Sequence, residues 1–193
     1  MTTVYFARHG EYEGQDKYLA LRAKGFPLNS RGKKQAKKLS EVFLKKNVSA
    51  LYSSPMLRAL ETAKIIGEVI SLKIVEDKRL LEVKTPFDGI EKKKFEEMGG
   101  RNMMYKIPAQ IAKGESIGEI ESRMMSFLDD ILTKYKDKAV VVISHADPIM
   151  ILEYKIKGKD FTRINKYKDR YIDVGRYFEF VFNGKKMVSE KYV

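Results

Sequence analysis

The 193-residue chain has no cysteine and only two histidines. Without cysteine there is neither a disulfide framework nor a thiolate metal site. No apolar run approaches the roughly 20 residues that a membrane helix needs, so no membrane partner is expected. The N-terminus lacks the basic and apolar regions of a secretory signal. A cytoplasmic protein is the expectation. Acidic residues are in deficit, with 26 Asp and Glu against 38 Lys and Arg, for a formal net charge of +12. One reading of that excess is a nucleic-acid-binding module. The basic residues are spread along the whole chain, however. With 33% charged residues and no cysteine, they fit better the charged surface seen in thermophile proteins. Nucleic acid is therefore not the expected partner. The residual bias is towards anionic substrates.

The apolar content is 44%, enough in a chain of this length for one α/β domain with a real core. No repeat or linker interrupts it, so residues 1–193 read as a single domain. Val4 to Ala7 is a β-branched and aromatic run of the kind that forms a buried strand. The segment 12–29 reads as a loop with one helical turn near Tyr18–Arg22. A helix follows, with Ser30 as its expected cap and a stop at Asn47. Ala50–Ser53 is a short strand, and Ser54-Pro55 opens a second helix with proline at its first position. Ser71–Val75 is a further strand, followed by Leu80-Leu81-Glu82. From 83 to 115 the periodicity fails, which predicts an irregular insertion lying over the site. Ser116 and Glu119 form a capping box for a third helix. Ala139–Ser144 is a strand, and Asp147-Pro148 starts a helix. A terminal hairpin turns at Asn183-Gly184. Strands alternating with helices predict a three-layer α/β/α sandwich with a mostly parallel central sheet.

Both histidines follow apolar strands, in Arg8-His9-Gly10 and in Ser144-His145. The C-terminal edge of a parallel sheet is where ligands bind. Arg8, His9, Glu82 and His145 are expected at strand ends, and Arg58 in the first turn of a helix. Two guanidinium forks suit a phosphate. An imidazole beside them stays neutral and nucleophilic. A carboxylate can protonate a leaving oxygen and later deprotonate water. Plainer readings exist for each. Arg8 and Arg58 could pair with Glu11 or Glu61, Asp88 or Glu91 could replace Glu82, and Phe87, Met98, Met103, Met104 and Tyr105 could be core.

At this point the chain resembles the histidine phosphatase superfamily, the group that includes the cofactor-dependent phosphoglycerate mutases. Five blocks in order carry the resemblance. They are Arg8-His9-Gly10-Glu11, Pro27-Leu28-Asn29-Ser30-Arg31-Gly32 with Gln35-Ala36, Ser53 to Ala59 with Thr62-Ala63, Leu80-Leu81-Glu82, and Ser144-His145. The resemblance implies a phosphoglycerate mutase-like fold with His9 as the phosphorylated nucleophile. It implies Arg8, Arg58 and His145 as phosphate holders and Glu82 as proton donor and base. It implies no metal and no cofactor, and two histidines flanked by arginines make a poor cation site in any case. Gln15 stands where the family usually has a phosphate-contacting Asn, and is carried over as a phosphate-binding residue. Ala146 stands where Gly is usual. Glu82 is followed by Val83-Lys84-Thr85-Pro86 and not by the Glu-Arg-His-Tyr-Gly continuation of the mutases. The expected activity is therefore a metal-independent phosphatase acting on a small phosphorylated substrate, with phosphoglycerate mutase as the alternative. The identity of the substrate and the oligomeric state are not legible in the sequence.

Overall fold

The computed structural model describes residues 1–100, 114–163 and 171–193. Its six-stranded sheet is built from β1 (Thr2–Arg8), β3 (Val48–Ser53), β4 (Ile74–Glu76), β6 (Ala139–Ser144), β7 (Tyr177–Asn183) and β8 (Lys186–Tyr192). Their order across the sheet is β4-β3-β6-β1-β7-β8. The first four run parallel. The hairpin β7–β8 joins β1 antiparallel at one side, and Gly184 supplies its turn with φ 57°. The remaining elements are β2 (Tyr18–Leu19), α1 (Ser30–Leu44), α2 (Leu57–Ile70), β5 (Ile90–Glu91), α3 (Lys92–Glu97), α4 (Ile117–Lys134) and α5 (Ala146–Ile156).

Both faces of the sheet are covered. Side chains alternate across a strand, so Val4 and Phe6 of β1 join Val140 and Val142 in one core, packed against α4 and α5. Tyr5 and Ala7 join Val141 and Ile143 in the other, against α1 and α2. This is the expected three-layer arrangement with a mostly parallel sheet. Among the described residues no helix is long and apolar enough to cross a membrane.

Several boundaries differ from the sequence reading. Asn29, not Ser30, caps α1, its side chain accepting from Gly32 N at 2.8 Å. α1 ends at Leu44, and Asn47 takes a left-handed conformation on the way into β3. α2 begins at Leu57, after Pro55, so Arg58 still falls in its first turn. Where a helical turn is expected at Tyr18–Arg22, Tyr18–Leu19 forms strand β2, paired antiparallel with β5, and Leu21–Arg22 is a non-helical turn. β4 starts three residues later than expected, because Ser71 caps α2 in the left-handed region. Residues Lys78–Leu80 form a 3₁₀ turn, so Glu82 does not follow a strand. The box at Ser116 and Glu119 forms as expected. α5 starts one residue earlier than Asp147, with His145 at its N-cap. Of the insertion expected at 83–115, residues 101–113, with Met103, Met104, Tyr105 and Pro108, lie outside the described residues. So does 164–170.

Candidate active site

The register of β1 against β6 pairs Arg8 with Ser144. The residues that follow leave the sheet side by side, and His9 N donates to Ser144 O at 3.1 Å. Two apolar strands of matching length thus deliver both imidazoles to one place, with ring centroids 5.1 Å apart. Beyond His9 the chain must turn against α1. Gly10 and Gly32 permit it, since a Cβ on Gly10 would lie 2.5 Å from Gly32 O. Thr62 Oγ1 accepts from Gly10 N at 3.0 Å, and Gln35 Oε1 from Glu11 N at 2.8 Å. Gln35 and Thr62 belong to the blocks that carry the resemblance, and the structure gives them this task.

Arg58 is only 2% exposed. Its Nε donates to His9 Nε2 at 3.0 Å. Its Nη2 donates to His145 Nδ1 at 3.0 Å and to Leu21 O at 2.7 Å. These contacts fix the tautomers, because a guanidinium cannot accept. His9 Nδ1 lies 2.7 Å from Gly10 O, a carbonyl that can only accept, so Nδ1 holds the proton and Nε2 the lone pair. His145 Nδ1 is likewise a lone pair, and its Nε2–H donates to Ser54 Oγ at 2.8 Å. Burial, and then the charge of Arg58, hold both imidazoles well below the usual histidine pKa. Both are neutral.

Glu82 Oε2 lies 4.0 Å from His145 Nδ1, and Val83 N donates to Glu82 Oε1 at 3.0 Å. Burial, with the nearby Asp147 carboxylate, raises the Glu82 pKa to about 7. A carboxyl with that pKa can hold or release a proton near neutrality. Arg8 Nη1 donates to Ile172 O at 2.9 Å.

Arg8, His9, Arg58 and Glu82 line one cavity of about 300 Å³, the small end of the range for ligand pockets. Its wall also holds Tyr12, Lys92, Phe95, Glu96, Asp147 and Tyr171. The site reading from sequence did not include these. Only Asp147 carried a signal, and that was read as a helix start. Tyr171 donates to Asp147, and Tyr12 packs 5.4 Å from the Arg58 guanidinium. Phe95 is buried in the wall of the cavity, whereas Met98 is exposed.

Gln15 is not among the residues lining the cavity. It turns back onto its own loop, where Oε1 accepts from Tyr12 N at 3.3 Å. The acids weighed as partners or substitutes are engaged elsewhere. Glu61 accepts from Leu28 N and Glu11 pairs with Arg31, at 2.6 and 3.3 Å. Asp88 accepts from Arg22 N at 3.0 Å, and Glu91 lies 3.7 Å from Lys17.

The chain is 27% identical over 148 residues to phosphoserine phosphatase 1 of Hydrogenobacter thermophilus, covering 70% of this chain and 67% of that protein. It is 28% identical over 155 residues to a probable phosphoglycerate mutase of Proteus mirabilis, covering 75% of this chain and 70% of that one. Its fold matches an Entamoeba histolytica phosphoserine phosphatase solved with 3-phosphoglyceric acid, at a TM-score of 0.82 and 22% identity, over 100% of this chain and 96% of that one. A family model matches residues 4–191, a span that holds Arg8, His9, Arg58, Glu82 and His145, and by that match the chain belongs to the histidine phosphatase superfamily (branch 1).

Proposed function

We propose that the protein is a phosphatase for small phosphomonoesters, working through a phosphohistidine at His9. The observation that carries this reading is the hydrogen bonding of His9, whose Nδ1–H is spent on Gly10 O while, among the described residues, its Nε2 lone pair meets only the Arg58 N–H. A phosphate entering the cavity takes over the Arg8 and Arg58 donors and meets Nε2 in line. The Nε2–P bond forms as the bond from phosphorus to the ester oxygen breaks. Glu82, protonated, gives its proton to the departing oxygen. A water then attacks phosphorus, Glu82 takes one proton from it, and the N–P bond breaks. Inorganic phosphate leaves, and His9 and Glu82 return to their starting states. Ala146 and Asp147, in the first turn of α5, line the same cavity, whereas His145, fully buried and not among the lining residues, acts on the phosphate through Arg58.

The cavity volume of about 300 Å³ favours a substrate the size of a phosphorylated amino acid or glycerate. The names of the relatives, phosphoserine phosphatase and phosphoglycerate mutase, point the same way. A phosphate-release screen across phosphoserine, phosphoglycerates, sugar phosphates and nucleotides tests the activity. Acid quenching during turnover should trap an acid-labile phosphoenzyme in the wild type and none in His9→Ala. Turnover without any such species would refute the mechanism. The mutase alternative rests on the Proteus mirabilis relative. It is decided by whether 3-phosphoglycerate is converted to 2-phosphoglycerate in the presence of bisphosphoglycerate.

A further inference from the structure

Glu82 differs from the two histidines in how its backbone is held. His9 and His145 leave strands whose hydrogen-bond ladders set their positions. Glu82 follows a 3₁₀ turn and enters an irregular segment, so no ladder reaches it. Side chains catch its carbonyls instead. Arg123 Nη1 donates to Arg79 O at 2.5 Å, and Ser144 Oγ to Leu80 O at 2.8 Å. Arg22 Nε donates to Glu82 O at 2.6 Å, and Arg123 Nη2 approaches the same oxygen at 3.5 Å.

The two arginines are in turn locked by one carboxylate. Glu115 Oε2 accepts from Arg22 Nη2 at 2.8 Å, and Glu115 Oε1 from Arg123 Nε at 2.7 Å. Lys84 N donates to Glu115 Oε2 at 3.1 Å, and Glu115 N to Lys84 O at 2.9 Å. Arg22, Glu115 and Arg123 are all largely buried, with side chains 14–22% exposed. They come from two separate parts of the chain, the loop at Arg22 and the start of α4, and their hydrogen bonds converge on residues 79–84. A guanidinium buried beside a carboxylate is costly to assemble unless its geometry serves something. Next to Arg22, Leu21 is held at φ 46°, a conformation that a bulky residue avoids. That strained turn aims Leu21 O at Arg58 while the Arg22 side chain reaches Glu82. One dipeptide thus sets the spacing between the phosphate-holding guanidinium and the proton donor.

We propose that Arg22, Glu115 and Arg123 are positioning residues that hold Glu82 at the leaving-group oxygen. This rests on the reading of Glu82 as the proton donor. The test compares kcat/KM for phenyl phosphate, whose leaving group needs a proton, with 2,4-dinitrophenyl phosphate, whose leaving group does not. Glu115→Gln, and separately Arg22→Met in case the first does not fold, should lose about tenfold or more on the phenyl ester and less than about threefold on the dinitrophenyl ester. Arg22→Lys should fall between them and the wild type. In a Glu82→Gln background, Glu115→Gln should add nothing to the discrimination between esters. Equal losses on both esters, with Glu82→Gln still discriminating, overturn the clamp. Equal losses for Glu82→Gln itself would instead refute the donor role of Glu82, and the clamp with it.

Discussion

Arg58 Nη2 and His145 Nδ1 lie 3.0 Å apart, and only the arginine can be the donor. The second histidine is therefore fixed as a neutral acceptor before substrate arrives. The same guanidinium holds His9 as a neutral base through Nε. After burial, this one guanidinium is the largest influence keeping both imidazoles neutral, and Arg58→Ala should disturb them together. Loss of kcat/KM by about 10²-fold or more is expected, since a guanidinium lining the cavity and the ordering of the nucleophile disappear at once. In NMR spectra, the imidazoles of the variant should titrate nearer the ordinary histidine range. Unchanged titration would contradict the role given to Arg58.

His9→Ala should abolish turnover, with kcat/KM falling by on the order of 10³-fold or more. Substantial remaining activity on p-nitrophenyl phosphate would exclude a phosphohistidine. Vanadate, which mimics five-coordinate phosphorus, should inhibit the wild type. EDTA should leave activity unchanged, and loss restored by a divalent ion would rule out a metal-free site.

The Glu82 pKa of about 7 gives a pH dependence with a defined sign. The acid is competent while protonated, so kcat/KM on a poor leaving group should fall as pH rises through about 7. Glu82→Gln should be slow and should lack that limb. A limb that persists in this variant would belong to another group.

The same shift acts on stability with the opposite consequence for the variant. The folded-state pKa lies above the unfolded value, so the contribution is complete at low pH and is lost as pH rises through about 7. Above that point the buried carboxylate opposes folding by a few kcal/mol. Glu82→Gln should therefore be more stable than the wild type at pH 8.5, and little different at pH 4.5. Denaturant melts at the two pH values check it.

Gly32→Ala places a Cβ 2.0 Å from Glu11 O, where backbone would have to move. This substitution, outside the cavity lining, should lower both the melting temperature and kcat as the turn after His9 is displaced. A crystal structure of the variant with that turn unmoved would refute the cause.

What could be read from sequence follows from how each part is held. The strands ending at His9 and His145 are apolar, buried on both faces and set by local pattern, so their ends converge as expected. Arg58 falls in the first turn of α2 wherever its boundary is drawn. Glu82 was found through its block in the family pattern, but its surroundings were misjudged. The sequence predicts a strand over Ser71–Val75 ending near Glu82; the strand is Ile74–Glu76, Lys78–Leu80 coils after it, and side chains from 22, 115 and 123 do the holding. Such contacts have no period and no fixed spacing. Strand β2 escaped notice for a similar reason, since its two residues are strand only through pairing with β5. Gln15 illustrates the converse. Its position matches a phosphate-contacting Asn in the motif, but its side chain bonds its own loop and it is not among the residues lining the cavity.

The neutral histidines have a consequence for selectivity. While Glu82 keeps its proton, the innermost groups around His9 carry the two permanent positive charges of Arg8 and Arg58. The Asp147 carboxylate shares their cavity, and a phosphomonoester dianion is drawn to the two guanidiniums more strongly than a diester, which carries one negative charge. On the proposed reading, charge alone should favour monoesters, before the shape of the alcohol portion matters.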